Sequence, residues 1–104
     1  MKGTFDGHGN VIRVGDQVKC CPGREGSRVP YTDRFFAGDL ILGEVEWWPY
    51  PSGYVWVRGV ETQGNWQPGD GFCLESEQVV VVKNGDVIGE FDLDSFNQML
   101  GIGG

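Results

Sequence analysis

Residues 39–60, DLILGEVEWWPYPSGYVWVRGV, constrain the fold more than any other stretch of this chain. They hold its densest apolar sequence and read as two strands joined by a short turn. In the first arm Ile41, Gly43, Val45 and Trp47 share one parity, and Leu42, Glu44, Glu46 and Trp48 share the other. In the second, Val55 and Val57 alternate with Tyr54, Trp56 and Arg58. A strand sends successive side chains to opposite faces, so each arm has one apolar face and one mixed face. Pro49-Tyr50-Pro51-Ser52-Gly53 cannot continue either strand, because proline lacks the ladder donor and glycine admits unusual backbone angles. Pairing Trp47 with Val55 and Val45 with Val57 buries one face throughout. The same register sets Glu44 opposite Arg58 and Glu46 opposite Trp56. A slip of one residue would turn the valines outward.

The 104 residues allow one domain, taken as 1–104, with no room for two ordinary cores. Eighteen glycines and five prolines favour short strands and turns over long helices. No apolar run approaches the ~20 residues of a membrane span. Met1-Lys2-Gly3-Thr4 leads into a Gly-rich turn instead of an apolar signal region, so the expected location is cytoplasmic.

Charge is unevenly distributed. Residues 1–38 carry six basic and four acidic side chains, a balance of +2, whereas residues 39–104 carry two and eleven, a balance of −9. The overall −7 argues against direct binding to nucleic acid, which needs Lys and Arg to neutralise phosphates. It suits a solvated acidic surface, a basic protein partner, or imitation of a nucleic acid.

Along the chain, Thr4-Phe5 and Val11-Ile12 flank Asp6-Gly7-His8-Gly9-Asn10, an N-terminal hairpin or tight loop with His8 at its tip. A Gly15-Asp16 turn feeds a strand whose inward parity is Val18 and Cys20. Residues 22–38 lack a period and read as a long loop, with Tyr31, Phe35 and Phe36 beside Arg24, Arg28 and Arg34. Such a loop can close one end of the core, or present aromatic area and directional arginines to a partner. Beyond the hairpin come a short apolar piece at Phe72-Cys73-Leu74, one helical turn at Glu75–Gln78 and a buried strand of four valines, 79–82. Lys83-Asn84-Gly85-Asp86 signals a tight hairpin returning along Val87–Phe91. Phe96, Met99 and Leu100 fall at helical spacing behind Asp92 or Asp94, and Gly101 ends that helix.

Val14-Gly15-Asp16-Gln17-Val18, Gly43-Glu44-Val45 and Leu74-Glu75-Ser76-Glu77-Gln78-Val79 occur in the order turn and strand, long loop, central hairpin, helical turn, valine strand. Over residues 14–82 this resembles an SH3-like small barrel. The resemblance implies a mainly β fold with a barrel core at 14–82; residues 83–100 have no counterpart in it and read as an appended hairpin arm and one short C-terminal helix. The Ala-Leu-Tyr-Asp-Tyr box of eukaryotic SH3 domains is absent, so no ligand-binding residue is carried over. Size and irregular loops are similar to those of small bacterial or phage accessory proteins.

Catalysis finds little support. The one histidine lies in a Gly-rich tip, and no G-x-S-x-G nucleophile motif is present. Trp47, Trp48, Tyr50, Tyr54, Trp56 and Trp66, by contrast, exceed what one small barrel is expected to hide. The expectation is a non-catalytic protein-binding module with no cofactor, with a structural subunit of a homo-oligomeric or virion assembly as the alternative. The sequence leaves the oligomeric state open. The candidate recognition residues are Trp48, Tyr54, Trp56, Arg58, Glu44 and Glu46 on the mixed face, with Tyr31, Arg34 and Phe36 on the long loop beside it. Cys20, Cys21 and Cys73 form no CxxC spacing, and adjacent strand cysteines point to opposite faces, so buried thiols are expected instead of a metal site. A chelator is therefore expected to leave the thermal midpoint unchanged. A structural zinc supplies on the order of 10 kcal/mol, so unfolding on chelation would overturn this reading.

Overall fold

The Gly15-Asp16 turn leads into β1 (Gln17–Cys20), the strand around which the sheet is assembled. The computed structural model describes residues 4–47, 49, 51–84 and 86–88. The further strands are β2 (Leu40–Glu46), β3 (Tyr54–Thr62), β4 (Gly71–Glu75), β5 (Val79–Lys83) and β6 (Asp86–Val87). Single 3-10 turns at Ala37–Asp39 and Ser76–Gln78 precede β2 and β5. Every pairing is antiparallel, and the strands form one open sheet in the order β4-β3-β2-β1-β5-β6. The fold is thus mainly β. No helix among the described residues is long and apolar enough to cross a membrane. The expected helix at 92–100 and the continuation of the last strand through Phe91 lie outside the described residues, as do Trp48 and Tyr50.

The central hairpin pairs Glu44 with Arg58, Val45 with Val57 and Glu46 with Trp56, the register that alternation requires. Two expectations within it fail. Trp47 does not pair with Val55: β2 ends at Glu46, the chain leaves the ladder, and Trp47 is 74% exposed. Ile41 is exposed while Leu40 is buried, because register shifts between Leu40 and Gly43 break the strict alternation.

The core lies on one face of the sheet. Val18, Val45, Val55, Val57, Leu74, Val79 and Val81 project into it, and Ile12, Val29, Leu40 and Trp66 complete it. Trp66 is 1% exposed, so it is not surface aromatic area as expected. It reaches the core because Gly43 and Gly59 face each other across β2 and β3. A Cβ on Gly59 would stand 2.8 Å from the Trp66 Nε1, and one on Gly43 would strike Val57 and stand 3.0 Å from the Leu40 Cδ1. The indole N–H donates to the Asp70 carbonyl at 3.0 Å, so no buried donor is left open. Phe35 and Phe72 pack beside it, with ring centroids 4.4 Å apart from each other and Phe72 5.0 Å from Trp66.

All four valines of β5 are buried, which covers both faces of that strand. Its free edge is closed by the N-terminal loop and β6. Gly7 N–H donates to the Val79 carbonyl, Ile88 N–H donates to the Val81 carbonyl, and Val81 N–H donates to the Asp6 carboxylate at 2.8 Å. The same carboxylate accepts the backbone N–H groups of His8 and Asn10, both at 2.8 Å, and the Asn10 amide at 3.3 Å. Asn10 also donates to the Ile88 carbonyl. One buried carboxylate therefore shapes the 4–12 loop and fastens it to a strand 75 residues away in sequence. Replacing Asp6 by Ala leaves the buried Val81 N–H without its acceptor and is expected to cost roughly 3 kcal/mol. Asp6→Asn, which keeps an acceptor oxygen, is expected to recover part of that loss. Urea unfolding of both variants checks the ranking, and equal loss would show that the charge itself is required.

Candidate binding face

The outer face of β2, β3 and β4 carries the side chains the core does not use. Alternation along β3 sends Val55 and Val57 inward and leaves Tyr54, Trp56 and Arg58 outward, the first two half-buried and the third exposed. Glu44 and Glu46 stand beside them on β2. On the far side β4 places Glu75 opposite Tyr54, Cys73 opposite Trp56 and Gly71 opposite Arg58. The Trp56 indole lies across Gly71, where a Cβ would come within 2.7 Å of Nε1. Trp56 is thus a flat, half-covered plate instead of a projecting ring.

Glu44 and Arg58 are directly opposite, yet the Arg58 guanidinium turns diagonally. Its Nε binds Glu46 Oε1, its Nη2 lies 3.4 Å from Glu46 Oε2, and Nη1 donates to the Gly69 carbonyl. The bond to Glu46 holds the Arg58 pKa above its ordinary value. A forked arginine–carboxylate pair fixes both side chains in one plane, and at this exposure it supplies orientation more than stability. No cation is paired with Glu44 among the described residues.

Of the candidate residues, Glu44, Glu46, Tyr54, Trp56 and Arg58 share this face. Tyr31, Arg34 and Phe36 belong to a loop anchored on the core side, where Val29 is buried and Phe35 packs on Trp66 and Phe72. Within that loop Arg28 pairs with Phe36 in an isolated bridge, sets its guanidinium 5.4 Å from the Phe36 ring centroid, and donates to the Asp33 carbonyl. Tyr31 is 90% exposed with φ at +65°, a backbone region unusual for a residue with a side chain. Arg34 is exposed, and its carbonyl accepts from Asn65. Trp48 lies outside the described residues.

A second group escaped the sequence reading. Gly53, Tyr54, Glu75, Ser76 and Glu77 line a shallow cleft of about 330 Å³ where the β2–β3 connection meets the Ser76–Gln78 turn. Ser76 N–H donates to the Gly53 carbonyl, which closes the floor of the cleft. Gln78 holds the turn in place: its side-chain oxygen accepts the Glu75 N–H at 3.0 Å, and its Nε2 donates to the Arg28 carbonyl at 2.7 Å. The available signal was the match between the inward pairs Val55/Val57 and Leu74/Phe72, which brings Glu75 opposite Tyr54.

The three cysteines are free, and no three metal-ligating side chains gather among the described residues. His8 sits in the Asp6 loop, well away in role from this face, with its backbone N–H held by Asp6. Burial raises the pKa of all three thiols. For Cys20 burial, then the charges of Glu25 and Cys21, push it up to about 11. Comparison with protein-family models, curated proteins and solved structures returned no match.

A raised thiol pKa means a neutral, unreactive sulfur at ordinary pH. Iodoacetamide is expected to label native Cys20 slowly at pH 8, with a rate that climbs as pH approaches 11, and to label all three cysteines readily in denaturant. Mass spectrometry of peptides covering Cys20 reads this directly, and rapid native labelling at pH 8 would contradict it.

Proposed function

We propose that this chain is a non-catalytic protein-binding module whose working surface is the outer face of β2, β3 and β4. The observation that carries the reading is the division of labour across the sheet. The core on one side holds Trp66 with Phe35 and Phe72 packed against it, and Tyr54, Trp56 and the Arg58–Glu46 fork lie on the other side of the sheet. An aromatic centre with a charged rim is the make-up of a protein interface. Large rings there give contact area with few rotatable bonds. The acidic balance of residues 39–104 favours a partner with a basic surface.

The SH3-like reading accompanies this proposal. It is supported by the order of elements: a strand after a Gly-Asp turn, a long loop, the central hairpin, a 3-10 turn and a valine strand that returns beside the first. A sheet of this kind keeps one face for its core and offers the other to a ligand.

Affinity capture from the native host, followed by titration of the captured protein against variants, tests the module. Trp56→Ala is expected to weaken binding by about 2 kcal/mol or more, as for an interface anchor. Its melting temperature should fall modestly, because what is lost is a half-exposed indole's cover of Gly71 and not a core side chain. Val57→Asp, which buries an unpaired charge, is expected to abolish folding. Wild-type affinity in a folded Trp56→Ala protein would place the interface elsewhere.

A further inference from the structure

Resting on the binding-module reading, we propose that the partner seated on the outer face is a second copy of this chain, which presents its 28–36 loop headed by Tyr31. Residues 29–32 form a tight turn. The Thr32 N–H donates to the Val29 carbonyl at 3.2 Å, and the Thr32 hydroxyl donates to the same oxygen at 3.0 Å. Pro30 takes the second position, where its fixed φ fits, and Tyr31 takes the third at φ +65°. A turn with proline second and positive φ third asks for glycine or asparagine there. Tyrosine in that place is strained, and the fold gains little from its ring, which is 90% exposed. The turn is braced from beneath: Val29 is buried, its N–H donates to the Phe35 carbonyl at 3.0 Å, and Arg28 bridges Phe36. A strained, braced tip that holds one large ring in solvent is preorganised for contact.

Charge complementarity names the occupant. The loop carries Arg28 and Arg34 against Asp33, whereas the outer face carries Glu44, Glu46 and Glu75 against Arg58. Arg34 and Glu44 are both exposed, and neither has an ion-pair partner among the described residues. Within one chain the two surfaces stay apart, because Phe35 holds the loop on the core side of the sheet. Between copies the Tyr31 ring can lie on the half-covered Trp56 plate while Arg34 reaches Glu44. Each copy's charge of −7 repels the next at long range, but physiological salt screens that repulsion beyond ~8 Å and leaves the close contacts to decide. Loop and face are different surfaces, so the contact is heterologous. Every copy added brings a free loop and a free face, and assembly runs on into a ring or a filament.

Sedimentation velocity of the full chain at physiological ionic strength, from about 1 μM to about 1 mM, tests the contact. The wild type is expected to grow in mean mass with concentration, past the dimer. Tyr31→Gly and Glu44→Arg should each weaken self-association by about tenfold or more. Tyr31→Gly should melt no lower than the wild type, since glycine relieves the turn, so lost assembly there is not lost folding. Mixing these two variants should give a heterodimer and nothing larger, because only one of the two possible junctions is intact. Arg34→Glu should also weaken assembly, and the double exchange Arg34→Glu with Glu44→Arg should restore it. A wild type that stays monomeric throughout, assembly unchanged in either single variant, a mixture without heterodimer, or a lower melting temperature in Tyr31→Gly would each overturn the self-contact. The module reading fails separately. A monomeric wild type whose captured partner is lost in Trp56→Ala would remove the second copy and leave the module, whereas self-assembly unchanged in Trp56→Ala would remove the outer face from both.

Discussion

Gly43 and Gly59 face each other across β2 and β3, and the inner side of the sheet depends on neither of them having a side chain. The bare patch is occupied by the Trp66 indole from the 63–70 loop and by Leu40 from the irregular start of β2. Phe72 and Phe35 then close around the indole at edge-on and tilted angles. This brings the long loop onto the core side, since Phe35 is part of that loop. The consequence reaches the other face: with Trp66 buried inside and Phe35 and Phe72 packed against it, Tyr54 and Trp56 are not needed there.

The sheet is secured at its opposite end by polar chemistry. β5 is apolar on both faces, so its edge could not be left to water without exposing valines and ladder groups together. Asp6 resolves this by offering two carboxylate oxygens to backbone donors, one set within its own loop and one on β5. A carboxylate accepting several N–H bonds is well compensated for leaving water, even without a cation beside it. Asn10 extends the fastening to Ile88. Residues 4–12 are therefore part of the sheet's construction.

What was legible in the sequence was local and periodic. Val45, Val57, Glu46 and Trp56 pair as alternation demands, because two strands bounded by a Pro/Gly turn have few registers that bury one face. The helical turn before the valine strand and the Lys83–Asp86 hairpin are also found, the latter as pairs of Val82 with Val87 and Lys83 with Asp86. Trp47 and Ile41 were misplaced because alternation holds only while the ladder is regular, and it is irregular at both ends of β2. Trp66 was counted with the surface aromatics because it lies in a passage without period. Only its meeting with Gly59 shows that it belongs inside. Glu75 meets Tyr54 only through the β3–β4 register, for which the inward pairs Val55/Val57 and Leu74/Phe72 were the one available signal. The loop residues Tyr31, Arg34 and Phe36 were grouped with the outer face by their chemistry, whereas the core contact of Phe35 anchors their loop on the other side.

The position of β1 between β2 and β5 has a consequence for how the protein is made. On a ribosome the chain emerges in order, so β2, β3 and β4 can each add to the strand before it as they appear. β5 pairs with β1 through Gln17↔Val82 to Cys20↔Val79, and that partner is synthesised some sixty residues after β1. During the interval one edge of β1 has no mate and the Asp6 carboxylate lacks its Val81 donor, and a nascent sheet with an open edge is an invitation to mispairing between neighbouring chains. Lys19 stands in the middle of that temporary edge, opposite the place Val80 will take. A charge there discourages another chain's apolar strand from docking first, so one half-buried lysine can guard the growing polypeptide until β5 arrives.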